Sequence, residues 1–293
     1  MKTPVQQKYY KTFDGTKIGY QVIGTGKTPF ILCNGLGGSS VGWSPIYNKL
    51  GRKFKFITWD YRGLFTSDKP KDMNRLSVED HCRDLQWLLK KEKISKAIFG
   101  GWSMGVQVCL DYYRKNAKQY RGIFLINGTY GYVLETALNS KLTRHIVPAV
   151  NQLLIKALPR IQPTLQPLAS YVINSRDFIN IVEKLGMIHK NLDSEIFKEV
   201  AHAMMQTDLS TYVKLLDRLS EHSAADVLEK IKVPTLIVSA TRDVMTPSWV
   251  AEDMAKKIPG AELLIVNNGS HYSLLEFPEI IVTRLEQFLK EYF

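Results

Sequence analysis

A chain of 293 residues, 45% hydrophobic and 23% charged, has the composition of a folded globular protein, which excludes disordered, collagen-like and coiled-coil chains. The formal net charge is +11, and the first 100 positions hold 18 lysines and arginines against 8 acidic residues. We interpret these charges as solvated surface residues and expect no nucleic-acid partner, since no nucleic-acid-binding motif accompanies them; peripheral contact with an anionic membrane is the alternative.

The cysteines and the N-terminal segment bear on the cellular compartment. Cys33, Cys82 and Cys109 are too few and too far apart for a disulfide framework or a zinc site, so we expect reduced thiols and no bound metal. Segment 1–12 lacks the apolar core of a secretory signal, and no run approaches the roughly 18 apolar residues of a membrane-spanning helix. These features predict a cytoplasmic protein.

Short β-rich runs alternate with amphipathic helical stretches along much of the chain. Asp14-Gly15 separates the first two runs and predicts a hairpin, and Ser77 with Asp80 forms the capping-box pattern that begins a helix. Alternating strands and helices indicate a doubly wound, mostly parallel sheet. The predicted strands are 8–13, 17–23, 30–33, 54–59, 97–100, 122–126, 234–239 and 263–266.

Residues 128–232 break this alternation, because they carry helical periodicity and little strand signal. The sequence therefore predicts a helical cap inserted at 128–232 into a core domain formed by 1–127 and 233–293. A stripe of apolar residues at helical spacing is expected to pack onto the core domain, a lid that faces lipid or grips substrate being the alternative. The stripe consists of Leu142, Ile146, Ala149, Val150, Leu153, Leu154 and Ala157.

Residues 101–105 (GWSMG) match the pattern G-x-S-x-G between a predicted strand and the amphipathic stretch 106–113. A sharp turn from strand to helix forces its middle residue into a strained backbone conformation and leaves room only for glycine at either side. Ser103 is therefore the predicted nucleophile. The helix start also supplies backbone N–H groups and a favourable dipole for a developing oxyanion.

A serine hydroxyl needs a base within hydrogen-bond reach. His271 is the best candidate among six histidines, because it follows strand 263–266 at the carboxyl edge of the sheet, where Ser103 also emerges. The other histidines are interpreted as surface or packing residues. They are His81 on the predicted capped helix and His145, His189, His202 and His222 in the predicted cap.

Asp243 is the candidate that orients the base. It follows strand 234–239 at the same edge and completes the chain order Ser, Asp, His; a turn or helix-capping aspartate is the alternative. The acid that orients the base could also follow the strand that ends at residue 126. That position holds Asn127, which is not ionisable.

An oxyanion hole needs two N–H donors. The predicted donors are Met104 and, from the glycine-rich loop 34–38, Leu36. This loop lacks the patterns of nucleotide-binding sites, so we expect no cofactor.

With these motifs the chain resembles the α/β-hydrolase superfamily over nearly its whole length. The similarity implies a mostly parallel eight-stranded sheet with a helical cap over the site. It also implies esterase, lipase, thioesterase, acyltransferase or C–C hydrolase activity; Ser103 argues against dehalogenases and epoxide hydrolases, which use an aspartate nucleophile. One departure is Asn34, where many relatives carry histidine. The matching segments are 35–39, Asp60-Tyr61-Arg62-Gly63, the GWSMG turn, Arg242-Asp243 and Gly269-Ser270-His271.

The predicted reaction is acyl transfer to water. Ser103 attacks an ester carbonyl, His271 takes the proton, and Leu36 and Met104 hold the oxyanion. The apolar cap favours a small-molecule ester with a hydrophobic acyl group. The alternatives are a lysophospholipid or monoacylglycerol substrate at a membrane surface, and thioester cleavage or acyl transfer to an alcohol or thiol. The complete set of serine, aspartate and histidine argues against a non-catalytic ligand receptor.

Overall fold

The computed structural model describes residues 3–138, 188–205 and 207–293 without a break within each range. It also describes the shorter stretches 150, 153–154, 156–157, 160–164, 167, 171–175 and 177–184. Within these ranges, no helix has the length and apolar character needed to cross a membrane. The three cysteines carry free, buried thiols.

One eight-stranded sheet forms the centre of the molecule, in the order β1-β2-β4-β3-β5-β6-β7-β8. β1 is antiparallel to β2 and β2 to β4, and all other neighbours are parallel. The prediction of a mostly parallel eight-stranded sheet is confirmed. The strands are β1 Val5–Lys11, β2 Lys17–Ile23, β3 Thr28–Cys33, β4 Phe54–Trp59, β5 Ala97–Trp102, β6 Tyr120–Ile126, β7 Thr235–Ala240 and β8 Glu262–Val266.

Helices connect the strands and cover the sheet. The second helix begins at the predicted capping box, in which Ser77 Oγ accepts from Asp80 N at 3.2 Å and the Asp80 carboxylate accepts from Ser77 N at 3.3 Å. The α-helices whose two ends both lie within the described residues are α1 Ser44–Leu50, α2 Val78–Lys91, α3 Met104–Asn116, α4 Val133–Leu138, α5 Phe178–Lys184, α6 Ser194–Met205, α7 Leu209–Glu221, α8 Ser248–Lys257, α9 Ser273–Glu276 and α10 Pro278–Tyr292.

The central strands are buried on both faces, as their continuous apolar runs predict. Successive residues of β5 point to opposite sides: Phe99 packs in one hydrophobic cluster and Ile98 in another, both fully buried. Phe99 stacks on Tyr120 of β6 with ring centroids 3.8 Å apart. This double coverage holds the strand that leads to Ser103 in a fixed position.

The order of the strands creates a crevice next to Ser103. β3 lies between β4 and β5, so the chain leaves β3 toward one side of the sheet and leaves β5 toward the other. The start of α3 packs tightly against the end of β3, since a Cβ added to Gly105 would lie 1.9 Å from the carbonyl oxygen of Cys33. Loop 34–38 and the β5–α3 turn therefore meet at the carboxyl edge.

Helices α4 to α7 lie in the predicted cap, whose boundaries at 128 and 232 stay a prediction. Its two ends meet at a stem, where Gly131 and Ser223 form an isolated bridge and Tyr132 N donates to His222 O at 2.8 Å. A further link to the core joins Lys69 Nζ to Asp208 Oδ2 at 2.9 Å. These contacts join the stem of the cap and the start of α7 to the core domain.

The solvent exposure of the apolar stripe differs from the prediction. Val150, Leu153 and Leu154 are 47%, 70% and 41% exposed, and Ala157 is exposed as well. The expectation that they pack onto the core domain is wrong for these residues, because a large part of each side chain is exposed to solvent. The remaining members, Leu142, Ile146 and Ala149, lie outside the described residues.

Candidate active site

Ser103 occupies the strained turn that the motif predicts. Its backbone has φ 55° and ψ −119°, a left-handed conformation that costs about 1–3 kcal/mol and persists only where the surroundings enforce it. Ser103 N donates to Ile126 O at 3.1 Å, and Val106 N donates to Ser103 O at 3.0 Å. A Cβ at Gly101 would lie 2.5 Å from Gly105 O, so the turn requires glycine there.

Asp243 and His271 come together although they follow different strands. His271 Nδ1 lies 2.9 Å from Asp243 Oδ2 and 3.1 Å from Oδ1, and both side chains are buried. The carboxylate also accepts from Met245 N and from the N–H and hydroxyl of Thr246, at 2.7–2.9 Å. Burial raises the pKa of Asp243, but His271 and the two hydrogen bonds from Thr246 outweigh it and hold the pKa below its ordinary value.

An ionised carboxylate at this place selects the tautomer of the neutral ring. The nitrogen that faces an aspartate carries the proton, so Nδ1 of His271 donates to Asp243 and Nε2 is left with its lone pair. Trp102 Nε1 donates to the carbonyl oxygen of His271 at 3.2 Å and ties the histidine loop to the serine turn. The arrangement is suited to a base at Nε2.

Ser103 and His271 line one cavity of about 340 Å³. Its walls are largely apolar, and no lysine, arginine, aspartate or glutamate occurs among the described residues that line it. Loops at the carboxyl edge form the floor, and α4, α6 and α7 form the roof. The lining residues are Gly35, Leu36, Gly37, Gly38, Ser39, Gly42, Trp102, Ser103, Val133, Leu134, Ala137, Val200, Tyr212, Leu216, Leu219, Val244, Met245, His271 and Tyr272.

The predicted oxyanion donors lie beside Ser103. Met104 follows it directly as the first residue of α3, and Leu36 lies in the cavity wall. A Cβ added to Gly35 would be 3.2 Å from Ser103 Cβ, so the glycine-rich loop runs close to the serine. The assignment of these two N–H groups as donors stays a prediction.

Asn34 anchors this loop. Its side chain donates to Trp59 O at 2.8 Å and accepts from Trp43 Nε1 and Thr58 Oγ1, both at 2.9 Å. Its backbone carbonyl accepts from Tyr61 Oη at 2.8 Å. The asparagine that departs from the superfamily pattern is thus hydrogen-bonded at both ends of its amide and fixes the end of β3 to β4.

The other described histidines lie away from the cavity. His81 is fully buried against Tyr61, with ring centroids 4.5 Å apart, and burial together with Arg62 lowers its pKa to about 3. His222 contacts Gln107 and Asp111 at 2.6 and 3.2 Å. His189 packs on Phe277, and His202 bonds Asn174. His145 lies outside the described residues.

Among the described residues, one group of side chains has metal-ligand spacing. Potential ligand atoms of Glu79, Asp111 and His222 lie within 4.8 Å of one another. Arg114 already contacts Asp111 Oδ1, and its positive charge opposes a bound cation there. We therefore interpret Asp111 as the partner of Arg114 and His222 in a polar contact between α3 and the stem of the cap.

The sequence did not reveal the role of Asn127 or the tyrosines of the cavity. Asn127 donates to the carboxylate of Asp243, while Tyr212 and Tyr272 line the cavity. The sequence did contain a signal for the backbone at Asn127. An Asn-Gly pair after a strand is compatible with a left-handed conformation, and the observed φ of Asn127 is 43°. No sequence pattern places the tyrosines.

Comparisons with known proteins agree with this architecture. A putative carbamate hydrolase, RutD, from Azorhizobium caulinodans is 24% identical over 272 residues, which cover 93% of this chain and 94% of the relative. An esterase from Exiguobacterium antarcticum superposes with a TM-score of 0.76 at 19% identity, covering 97% of this chain and all of the other. An enol-lactonase from Burkholderia xenovorans gives 0.72 at 21% identity, with the same coverage.

These similarities to solved structures establish the fold. The family model described as alpha/beta hydrolase fold matches residues 28–278, which include Ser103, Asp243 and His271. On this match, together with the sheet order and the strained serine turn, the chain belongs to the alpha/beta hydrolase fold family.

Proposed function

We propose that this protein is a serine hydrolase that cleaves a neutral carboxylic ester with a hydrophobic acyl group. One observation carries the proposal: Ser103, held in a strained turn, shares a cavity with His271, whose ring is fixed by the buried carboxylate of Asp243. Esterases and a putative carbamate hydrolase among similar proteins support a hydrolytic reaction. The free, buried cysteines are compatible with the cytoplasm as its compartment.

In the proposed mechanism, Nε2 of His271 takes the hydroxyl proton of Ser103 as Ser103 Oγ attacks the ester carbonyl. The N–H groups of Leu36 and Met104 hold the oxyanion, each worth about 3–4 kcal/mol of barrier. His271 then gives its proton to the leaving alcohol. A water molecule, deprotonated by the same nitrogen, then attacks the acyl carbonyl; the acid leaves, and His271 returns the proton to Ser103 Oγ.

The cavity wall supports an uncharged substrate. Its described lining holds no cation to pair with an anionic group, and an unpaired carboxylate in such surroundings costs several kcal/mol. Burial raises the pKa of the Tyr272 hydroxyl to about 12, so this polar group of the wall is neutral. The chemistry of the wall thus favours a neutral acyl chain over a small anionic carbamate.

A matched pair of substrates tests this selectivity. The p-nitrophenyl ester of pentanoic acid and the half-ester of succinic acid have similar size but differ by one negative charge. We expect kcat/KM to be at least about 100-fold higher for the neutral ester, since burial of the charge is uncompensated. A series from acetate to palmitate then measures the acyl length that the cavity holds. Equal or faster turnover of the half-ester would refute the proposed substrate class.

A second candidate is hydrolysis of a lysophospholipid or monoacylglycerol at a membrane surface. The specific observation is a set of exposed residues in the predicted cap: Val150, Leu153 and Leu154 are close in sequence to the exposed cations Lys156 and Arg160. Apolar residues flanked by cations are typical of helices that bind anionic bilayers.

Vesicles distinguish the two candidates. If the cap meets a membrane, monoacylglycerol hydrolysis should rise about tenfold or more with anionic vesicles, fall with salt, and lose this stimulation in Leu153→Asp. Turnover of a water-soluble ester should be the same in parent and variant. A rate indifferent to vesicles and to salt would leave the soluble ester as the substrate class.

A further inference from the structure

Asn127 lies where the loops of the site residues meet. It follows β6, is 1% exposed, and its backbone N donates to Val238 O of β7 at 2.9 Å. The preceding carbonyl, of Ile126, accepts from Ser103 N. The backbone at Asn127 is thus fixed between the strand that precedes Asp243 and the turn that carries Ser103.

Both halves of the Asn127 amide are in use. Nδ2 donates to Asp243 Oδ2 at 2.8 Å and to Ser270 O at 3.3 Å, while Oδ1 accepts from Ser273 Oγ. A carboxylate and a backbone carbonyl only accept, so the nitrogen must face them and the orientation of the amide is determined. One side chain therefore joins the aspartate loop to the histidine loop.

Asp243 Oδ2 is the oxygen that also receives Nδ1 of His271 at 2.9 Å. A donor from Asn127 on the same oxygen stabilises the ionised form of the carboxylate and limits its rotation. An acid in place of Asn127 would set two carboxyl groups at hydrogen-bond distance in a buried site, where both cannot be ionised.

We propose that Asn127 is a positioning residue that keeps Asp243 ionised and aimed at His271, an inference that rests on the proposed serine hydrolase mechanism. Its neutral amide donates a hydrogen bond to Asp243 without adding a charge. The position therefore requires an amide, and the absence of an acid there is part of how the site works.

Two substitutions that tolerate a left-handed backbone test this role. Asn127→Gly removes the donor, and we expect kcat/KM to fall about 10–100-fold at every pH, as for other residues that orient a site group. Asn127→Asp keeps the shape but forms a carboxyl pair that shares one proton. We expect its kcat/KM to fall at least about tenfold more as the pH rises from about 6.5 to 9, because loss of the shared proton sets two anions against each other.

Thermal unfolding tests the contact between Asn127 and Asp243 even if the protein hydrolyses no ester. The new carboxyl has a folded pKa raised above its unfolded value of about 3.9, so the variant keeps the stability of the parent below about pH 3.9 and loses it progressively as the pH rises from there through the folded pKa. We expect the Tm of Asn127→Asp to match the parent at about pH 4 and below, and to fall progressively below it as the pH rises, by about 4 °C or more at pH 8–9. The exposed control Asn48→Asp should show no such trend.

The outcomes distinguish the proposed hydrolase function from the proposed positioning role of Asn127. Absence of ester turnover by the parent, with the expected Tm trend, would refute the proposed function and keep the contact. Equal, pH-independent effects of Asn127→Gly and Asn127→Asp on kcat/KM, with a flat Tm difference, would overturn the role of Asn127.

Discussion

Replacement of Ser103 with alanine is expected to lower kcat for ester hydrolysis by about 10⁶-fold, the loss found when a serine nucleophile acting with its base is removed. The substitution deletes only the hydroxyl and leaves the turn, the cavity and His271 in place. Residual rates of about 10³–10⁴ over water can persist, because the oxyanion donors and the cavity still bind the transition state. Steady-state kinetics on the neutral p-nitrophenyl ester measures the effect.

A control addresses the chance that alanine simply disturbs the fold. Ser95→Ala changes an exposed serine before β5 and should keep the parent rate, and both variants should unfold at the parent Tm. Ser103→Ala with more than about a hundredth of the parent kcat would show that another group attacks the substrate. The first group to examine would then be Ser39, which lines the same cavity.

Asp243→Asn is the second substitution with a large expected effect, a fall in kcat of about 10⁴-fold. The amide has nearly the shape of the carboxylate, so the loss has an electronic cause. Its nitrogen donates to Nδ1 of His271, which moves the ring proton to Nε2 and removes the lone pair that would take the Ser103 proton. The N–H of Met245 and Thr246 would meanwhile lose their charged acceptor.

Kinetics at several pH values separates this effect from instability. The deficit of Asp243→Asn should ease as the pH rises toward 10, where hydroxide can act in place of a general base. The exposed control Asp68→Asn should keep the parent kcat throughout. A loss below about tenfold would mean that Asp243 is a turn residue and that the base is oriented by another group.

Local patterns were enough to predict much of the fold. β4 was predicted with its observed bounds, and the capping box at Ser77 with its observed contacts. Both depend on interactions between residues close in sequence or on burial of an apolar run. The approach of Asp243 to His271 could also be expected, because loops after neighbouring parallel strands share one edge of the sheet.

Contacts between distant segments could not be predicted in this way. Asn127 and Asp243 are 116 positions apart, and nothing near either residue shows that the amide faces the carboxylate. The side chain of Asn34 likewise takes its partners from β4 and from Trp43. The prediction that Val150 and Leu153 pack onto the core domain is wrong for a related reason: helical periodicity identifies an apolar face but does not show what covers it.

Covalent labelling tests the central claim most directly. The parent protein is treated with a fluorophosphonate, digested, and analysed by mass spectrometry for the modified residue. The proposed mechanism predicts one adduct, on Ser103, that is absent in Ser103→Ala and strongly slowed in Asp243→Asn, since the reagent reacts with a serine that a base has activated. An unlabelled parent, or an adduct on Ser39 with Ser103 unmodified, would contradict it.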